Sequence, residues 1–348
     1  MSLLEVTNLQ TSFNVTAGEV KAVDGVSFTL DKGKVLGIVG ESGSGKSVTA
    51  YSIMQILSHP GKIMGGSIKL NGEELVGADS SVIQKIRGNK VSIIFQDPMT
   101  SLNPVFTIGN QLMEAILLHT SRNKKEARER ALEMIRLVGI NDPEKRLKQY
   151  PHELSGGMRQ RIMIAMALAC EPDILIADEP TTALDVTIQA QILELMKKLQ
   201  KELGMAIIMV THDLGVIVQM CDEVIVLYAG RICEKGTVDE IFYQPKHEYT
   251  KGLIRSIPYG SKKESRLIPI AGSPVDVLNL PKGCAFAPRC DKAMKICLEQ
   301  KCDLIALDKT HFSSCWLNIA DLIQSGKIVP EESLEPNDYE GGATHVGL

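Results

Sequence analysis

The eight residues Gly40 to Ser47, reading GESGSGKS directly after the apolar run VLGIV, constrain the fold of this chain more than any other stretch. Glycines at that density let backbone N–H groups curl around phosphates, and the helix that must follow turns its positive end onto them. Gly40, Ser42, Gly43, Ser44, Gly45 and Val48 are therefore candidate phosphate contacts. Lys46 is the cation that neutralises the terminal phosphates, and Ser47 is the hydroxyl that holds Mg²⁺. Ser47 to Leu57 carries apolar residues at helical spacing, so strand, loop and helix follow in the order a nucleotide-binding phosphate loop requires.

Further polar residues stand where an α/β sheet presents its ligand groups, at the carboxyl ends of apolar runs. Asp178 and Glu179 close the run ILIA, Gln96 follows VSIIF, and His212 follows IIMV. Asp178 suits Mg²⁺ held through water, and Glu179 suits the base that polarises an attacking water. Gln96 can reach Mg²⁺ and that water, and His212 can contact the terminal phosphate. The run LSGGMRQR at Leu154 to Arg161 adds a hydroxyl, Ser155, two bare positions, Gly156 and Gly157, and a helix start at Met158. These features can cap the terminal phosphate of a second nucleotide, so the chain reads as half of a two-site machine.

The remaining pattern predicts the architecture around these residues. From Leu3 to Leu30 apolar and polar residues alternate in short runs, predicting antiparallel strands. Ile108 to Val138 is helical by spacing and lies between strand-like runs, so a helical insertion of about 97–165 is expected. Strands at Ile174 to Ala177 and Ala206 to Val210 flank a helix from Thr187 to Leu203. The expected fold is α/β, a phosphate-loop (RecA-like) nucleotide-binding domain over 1–240 with a largely parallel sheet and an antiparallel β subdomain. Residues 241–328 are proline-punctuated and predict a small irregular, cysteine-rich domain. The acidic tail 329–348 is expected to be disordered.

Charge and hydropathy limit the partners. The 38 basic and 42 acidic residues leave a net charge of −4, which argues against binding nucleic acid through phosphate neutralisation. No run approaches the ~20 apolar residues of a membrane span. The chain is expected in the cytoplasm, reaching a membrane only through a partner.

With the phosphate loop, Gln96, LSGG, the acidic pair, Ala183-Leu184-Asp185 and His212 in this order, residues 1 to about 240 resemble the ATP-binding cassette ATPases. The resemblance implies ATP hydrolysis with Mg²⁺. It implies that Phe13 stacks on adenine, although as a residue Phe13 also reads as a core aromatic at a strand end. It further implies that the loop at Gln96 senses a transmembrane partner, that Ser155 to Gly157 serve the other cassette's ATP, and that Asp185 links the two sites. Two cassettes then pack head to tail with each ATP sandwiched between them.

Of eight cysteines, Cys170, Cys221 and Cys233 stand alone, whereas Cys284, Cys290, Cys297, Cys302 and Cys315 crowd one segment. Thiols gathered so densely fit a [4Fe-4S] cluster, structural zinc or free thiols, and the paired Cys-x2-Cys knuckles frequent in zinc sites do not occur. PKHEYT at Pro245 to Thr250 and GCAFAPRC at Gly283 to Cys290 are similar to the C-terminal extension of oligopeptide and dipeptide import ATPases. In members with four cysteines there a [4Fe-4S] cluster is implied, and Cys284, Cys290, Cys297 and Cys315 match those positions. Cys302 and Asp291 stand where that family usually has proline, and Cys302 is expected to be the spare thiol. The runs FQDPMTSLNP, LSGGMRQR and ADEPTTALDVT resemble the D-type subunit. That type implies a sibling F-type cassette, two permeases and an extracytoplasmic peptide-binding protein, and hence a location on the cytoplasmic face of the membrane.

Three other cassette readings compete. A DNA-maintenance cassette would carry a long coiled coil, but only about a hundred residues separate Ser47 from Leu154. An iron–sulfur assembly ATPase would end near the cassette and lack GCAFAPRC. A purely regulatory cassette would have lost Glu179 or His212. Import of nickel or another small solute stays open beside peptides.

Overall fold

The apolar runs that enter the phosphate loop, Asp178 and His212 are buried strands, and the run before Gln96 is a strand buried at all but Ile93. This computed structural model describes residues 2–97, 101–182, 184–256 and 269–324, and it divides into two units, Met1–Arg231 and Ile232–Leu348. The first unit begins with β1 (Leu4–Val15), β2 (Gly18–Leu30), β3 (Val35–Val39), α1 (Lys46–Met54), β4 (Gly61–Leu70), β5 (Glu73–Glu74), α2 (Ser80–Ile86) and β6 (Val91–Ile94). Helices α3 (Ile108–His119), α4 (Lys124–Leu137), α5 (Pro143–Leu147) and α6 (Gly156–Leu168) follow. The unit closes with β7 (Ile174–Asp178), α7 (Val186–Leu203), β8 (Ala206–Thr211), α8 (Leu214–Met220) and β9 (Glu223–Tyr228).

Strands β9, β3, β8, β7 and β6 lie side by side in that order, and each neighbouring pair is parallel. Every residue of β3, β7 and β8 is buried, which is why these strands read as unbroken apolar runs. The alternating N-terminal segment forms an antiparallel sheet of order β2-β1-β4-β5. The candidate residues thus gather at one edge, the carboxyl ends of β3, β6, β7 and β8.

Two helices end earlier than their apolar spacing predicts. The helix expected to reach Leu57 stops at Met54 because Gln55 turns left-handed (φ 52°, ψ 38°), and the Arg87 guanidinium takes up the Met54 carbonyl at 2.8 Å. The run from Ile108 to Val138 breaks after His119, where Thr120 is extended and Asn123 starts α4 with a capping box to Glu126. The masses of the expected insertion, α3 to α6, are all helical.

The second unit holds β10 (Arg231–Thr237), α9 (Val238–Tyr243), α10 (Glu248–Arg255), α11 (Lys295–Glu299), β11 (Ile305–Ala306), β12 (Phe312–Ser313) and α12 (Trp316–Gln324). Composition changes near Ile241, but this unit starts earlier, because β12 pairs antiparallel with Glu234 and Lys235 of β10 as well as with β11. One apolar cluster among its described residues joins Ala287, Cys297, Cys302, Ile305, Trp316 and Ile319. A polar knot supplements it. The fully buried Glu234 carboxylate accepts from the Lys246 and His247 backbone N–H groups at 2.7 and 2.9 Å and meets His311 Nε2 at 2.7 Å. The expected disorder of the tail concerns residues that lie outside the described ones.

His247 gives this unit a pH signature. Burial pushes its imidazole from 6.5 down to about 4, against the charges of Glu234 and Glu248 and with that of Lys251, and its Nδ1 accepts from the Tyr249 N–H at 3.1 Å. A ring kept neutral in the fold contributes its full stability above the unfolded value, and that stability is lost as pH falls from about 6.5 to about 4. The loss should total about 3 kcal/mol. Trp316, the one tryptophan of the chain, lies in this unit and reports it by fluorescence in denaturant titrations. Equal stability of the unit at pH 7 and pH 4.5 would refute the account.

Candidate functional site

The loop between β3 and α1 is built around a glycine that no other residue can replace. Gly45 caps α1 at φ 100°, and a Cβ there would lie 2.3 Å from the Ala22 carbonyl oxygen. Lys46, 6% exposed, folds back so that Nζ donates to the Gly40 and Glu41 carbonyls at 2.9 and 3.0 Å. Burial pushes its pKa down, opposed by the charges of Glu179, Asp178 and Glu41. The hydroxyl of Ser44 is buried with no hydrogen-bond partner among the described residues.

At the end of β7 two adjacent carboxylates have separate surroundings. Asp178 is 1% exposed; Ser47 Oγ donates to its Oδ1 at 2.9 Å and Tyr51 to its Oδ2 at 2.8 Å. Burial raises its pKa while those two hydrogen bonds oppose the rise. Glu179 occupies a left-handed backbone position (φ 48°) that costs a non-glycine residue energy, and its N–H is pinned to the Val210 carbonyl at 2.8 Å. Its carboxylate is gripped on both oxygens. Oε2 accepts from Gln96 Nε2 at 2.9 Å and from Thr182 Oγ1 at 3.0 Å, and Oε1 lies 3.0 Å from His212 Nδ1. Burial pushes the Glu179 pKa up, but the hydrogen bonds from His212 and Thr182 and the charge of Lys46 outweigh it and hold the group below the ordinary carboxylate range.

Lys46, Gln96, Glu179, Thr182 and His212 line one open pocket of ≈ 560 Å³ with Glu41, Ser42, Gly43, Gly45, Ser47 and Val48, whereas Asp178, Gly40 and Ser44 are not among its lining residues. A phosphate chain bound in this pocket would meet the glycine loop and Lys46 together with a charged carboxylate and a histidine. The oxygens of Ser47 and Asp178, already in contact, are the hard donors Mg²⁺ prefers, and that ion characteristically takes one or two carboxylates with phosphate making up the rest. Gln96 stands beside them, its amide nitrogen committed to Glu179.

Two candidates lie elsewhere. Phe13 pairs across to Gly61 in the antiparallel sheet, its ring lies over that glycine, and it is not among the residues lining the pocket. The signature forms the open N-terminus of α6: Ser155 and Gly156 are exposed, and Ser155 Oγ accepts from the Met158 N–H at 3.4 Å. None of Ser155, Gly156, Gly157 or Met158 lines the pocket. Instead α6 is fastened within its own chain to α7 and to the turn that follows Glu179. A Cβ on Gly157 would lie 2.9 Å from the Ile188 side chain of α7, and the buried Gln160 donates to the Pro180 carbonyl at 2.6 Å. Asp185 caps α7 through the Ile188 N–H at 2.9 Å; Ala183, in the same loop, lies outside the described residues.

None of the eight cysteines is in a disulfide, and in the second unit Cys284, Cys290, Cys297 and Cys315 line one small cavity with Phe286, Ala287 and Trp316. Cys302 is absent from that lining and packs in the apolar centre, its Sγ 3.5 Å from the Asp303 carbonyl. Burial, then neighbouring thiols, push Cys302 up to about 12 and Cys315 up to about 11. Among the described residues no three Cys, His, Asp or Glu side chains converge closely enough to hold one metal ion.

Sequence reasoning missed Thr182 and Tyr51. Tyr51 stands four residues after Ser47, one helical turn on and on the same face, a spacing that could have marked it. Thr182 lies in the turn after Glu179, where a hydroxyl three residues on reaches back to the carboxylate.

Comparison with known proteins agrees with this geometry. A family model described as "ABC transporter" matches residues 23–182, and one described as "Oligopeptide/dipeptide transporter, C-terminal region" matches residues 233–297. The chain is similar to the oligopeptide transport ATP-binding protein OppD of Bacillus subtilis (strain 168), 52% identical over 96% of this chain and 93% of that one. It is 53% identical to the dipeptide transport ATP-binding protein DppD of the same organism, over 90% of this chain and 94% of that one. Among solved structures, a dimeric post-hydrolysis ATP-binding cassette bound to ADP and phosphate superposes with a TM-score of 0.61 at 28% identity, covering 68% of this chain and 98% of that chain.

Proposed function

Since the chain belongs to the family of oligopeptide and dipeptide transport ATP-binding proteins within the ATP-binding cassette ATPases, we propose that it hydrolyses ATP to drive peptide import, in partnership with a second cassette. It is the ATPase subunit of the importer, and such a subunit implies permeases and a substrate-binding protein. No helix among the described residues is long and apolar enough to cross a membrane, so the permeases would hold it at the cytoplasmic face. The relatives' names favour peptides over nickel, and favour transport over iron–sulfur assembly.

One observation carries the reading: a charged carboxylate, Glu179, held between Gln96, Thr182 and His212 at the edge of a phosphate-loop pocket. Lys46 and the loop N–H groups would bind the β- and γ-phosphates of ATP, and Phe13 would reach adenine. Mg²⁺, held by Ser47, Asp178 and Gln96, would neutralise charge on the phosphate oxygens. Glu179 takes the proton of the attacking water while His212 and Gln96 hold its carboxylate in place. The exposed start of α6 would close on the other cassette's γ-phosphate through Ser155, Gly156, Gly157 and Met158, which explains why it stands clear of its own pocket. The dimeric relative supports that packing. The favoured partner is a non-identical F-type sibling, with Asp185 at the contact between sites.

In the C-terminal extension, the lining by Cys284, Cys290, Cys297 and Cys315 without Cys302 fits a [4Fe-4S] cluster. A cluster takes one thiolate per iron and so spreads its ligands, whereas one zinc ion needs all its sulfurs within about 2.3 Å of a single point. Its contribution would be cohesion, because ligand binding becomes folding free energy. Anaerobic purification should yield absorbance near ~400 nm. Cys302→Ala should retain it and Cys297→Ala should lose it; the reverse pattern would exchange the ligand assignment.

Uptake of a labelled peptide by the source cells tests the whole reading. Replacing the chromosomal copy with a Lys46→Ala variant should abolish uptake of at least one di- or oligopeptide, and unchanged uptake of every such peptide would overturn it.

A further inference from the structure

The residue that ties the Mg²⁺ carboxylate to the segment bearing Gln96 is Tyr51. We infer that it is a positioning residue, its hydroxyl orienting Asp178 for the cation and its ring bracing Phe95. The inference rests on the reading of the pocket as an ATP site.

Asp178 is 1% exposed, and each of its oxygens receives one side-chain donor. Ser47 Oγ takes Oδ1 at 2.9 Å, and Ser47 is itself a candidate Mg²⁺ ligand. Tyr51 takes Oδ2 at 2.8 Å. Without the tyrosine hydroxyl a buried carboxylate oxygen loses its partner, and the group is free to rotate away from Ser47 or to hold a proton. Partners of ligating carboxylates fix ligand orientation, and their removal characteristically weakens metal binding by 10–100-fold.

The ring has a second contact. Its centroid is 6.2 Å from that of Phe95, tilted at 57°. Phe95 directly precedes Gln96, whose amide grips Glu179. One side chain on α1 therefore touches both the carboxylate at the end of β7 and the segment leaving β6.

Mn²⁺ titration followed by electron paramagnetic resonance, with saturating ADP, reads the first contact without turnover. Tyr51→Phe keeps the ring and should weaken Mn²⁺ about tenfold, while its affinity for a fluorescent ATP analogue in EDTA stays within twofold of wild type. Phe95→Leu keeps the hydroxyl and should leave Mn²⁺ affinity within twofold. If Tyr51→Phe binds Mn²⁺ like wild type, or if Phe95→Leu weakens it equally, the assignment falls. A wild-type chain that binds neither the analogue nor Mn²⁺ with ADP would instead refute the ATP-site reading itself.

Discussion

Glu179→Gln is expected to cut ATP turnover by ~10²–10⁴-fold while ATP stays bound. The substitution is nearly isosteric, so the shape facing Thr182, Gln96 and His212 is preserved; what disappears is the negative charge and the lone pair that takes the proton of water. Because the wild-type carboxylate is held below the ordinary range by His212, Thr182 and Lys46, it is charged at neutral pH and the loss is complete there. Binding should not suffer. A carboxylate close to the phosphate site repels the phosphates, and its removal relieves that repulsion. Phosphate release in a single turnover and retention of nucleotide through a desalting column measure the two halves. Hydrolysis at the wild-type rate would remove Glu179 from the mechanism.

Gly156→Asp separates the fold of one cassette from the assembly of two. A Cβ at Gly156 meets no atom within 4 Å, and the position is the first of α6. An acidic residue at a helix start faces the positive end of the dipole, so the variant chain should be as stable as wild type or more so, by about 0.3–1 kcal/mol. In a sandwiched dimer the same carboxylate would stand against a γ-phosphate. Hydrolysis should fall by at least ~10²-fold, as when one transition-state donor is lost. Wild-type hydrolysis with an unchanged melting temperature would mean that α6 caps no phosphate. The neighbouring Gly157 could not serve, since a side chain there strikes Ile188 and confounds fold with function.

The phosphate loop, the acidic pair, Gln96 and His212 were legible because each sits where a strand ends, a junction that fixes both residue type and location. The parallel sheet was equally plain in its unbroken apolar runs. What sequence concealed were bonds between distant segments. Gln96 and Glu179 are 83 residues apart, and Glu234 and His311 are 77 apart. No local pattern announces such pairs, because they exist only once the sheet has set its strand order. Tyr51 was overlooked for a different reason: an aromatic at helical spacing reads as core, and its hydroxyl matters only because Asp178 is buried beneath it. Helix ends escaped where a single residue, Gln55 or Thr120, changed the backbone direction against the apolar pattern.

The contacts of α6, through Gly157 against Ile188 and from Gln160 to the Pro180 carbonyl, tie the signature helix to the turn that follows Glu179. In the proposed head-to-tail pair, the signature of each chain would touch nucleotide that belongs to its neighbour. Pressure at that contact would then be transmitted, inside a single subunit, to Glu179 at the other site. Each site would keep time partly by its neighbour's nucleotide, and a pair of unlike subunits could run with one site setting the rhythm for both.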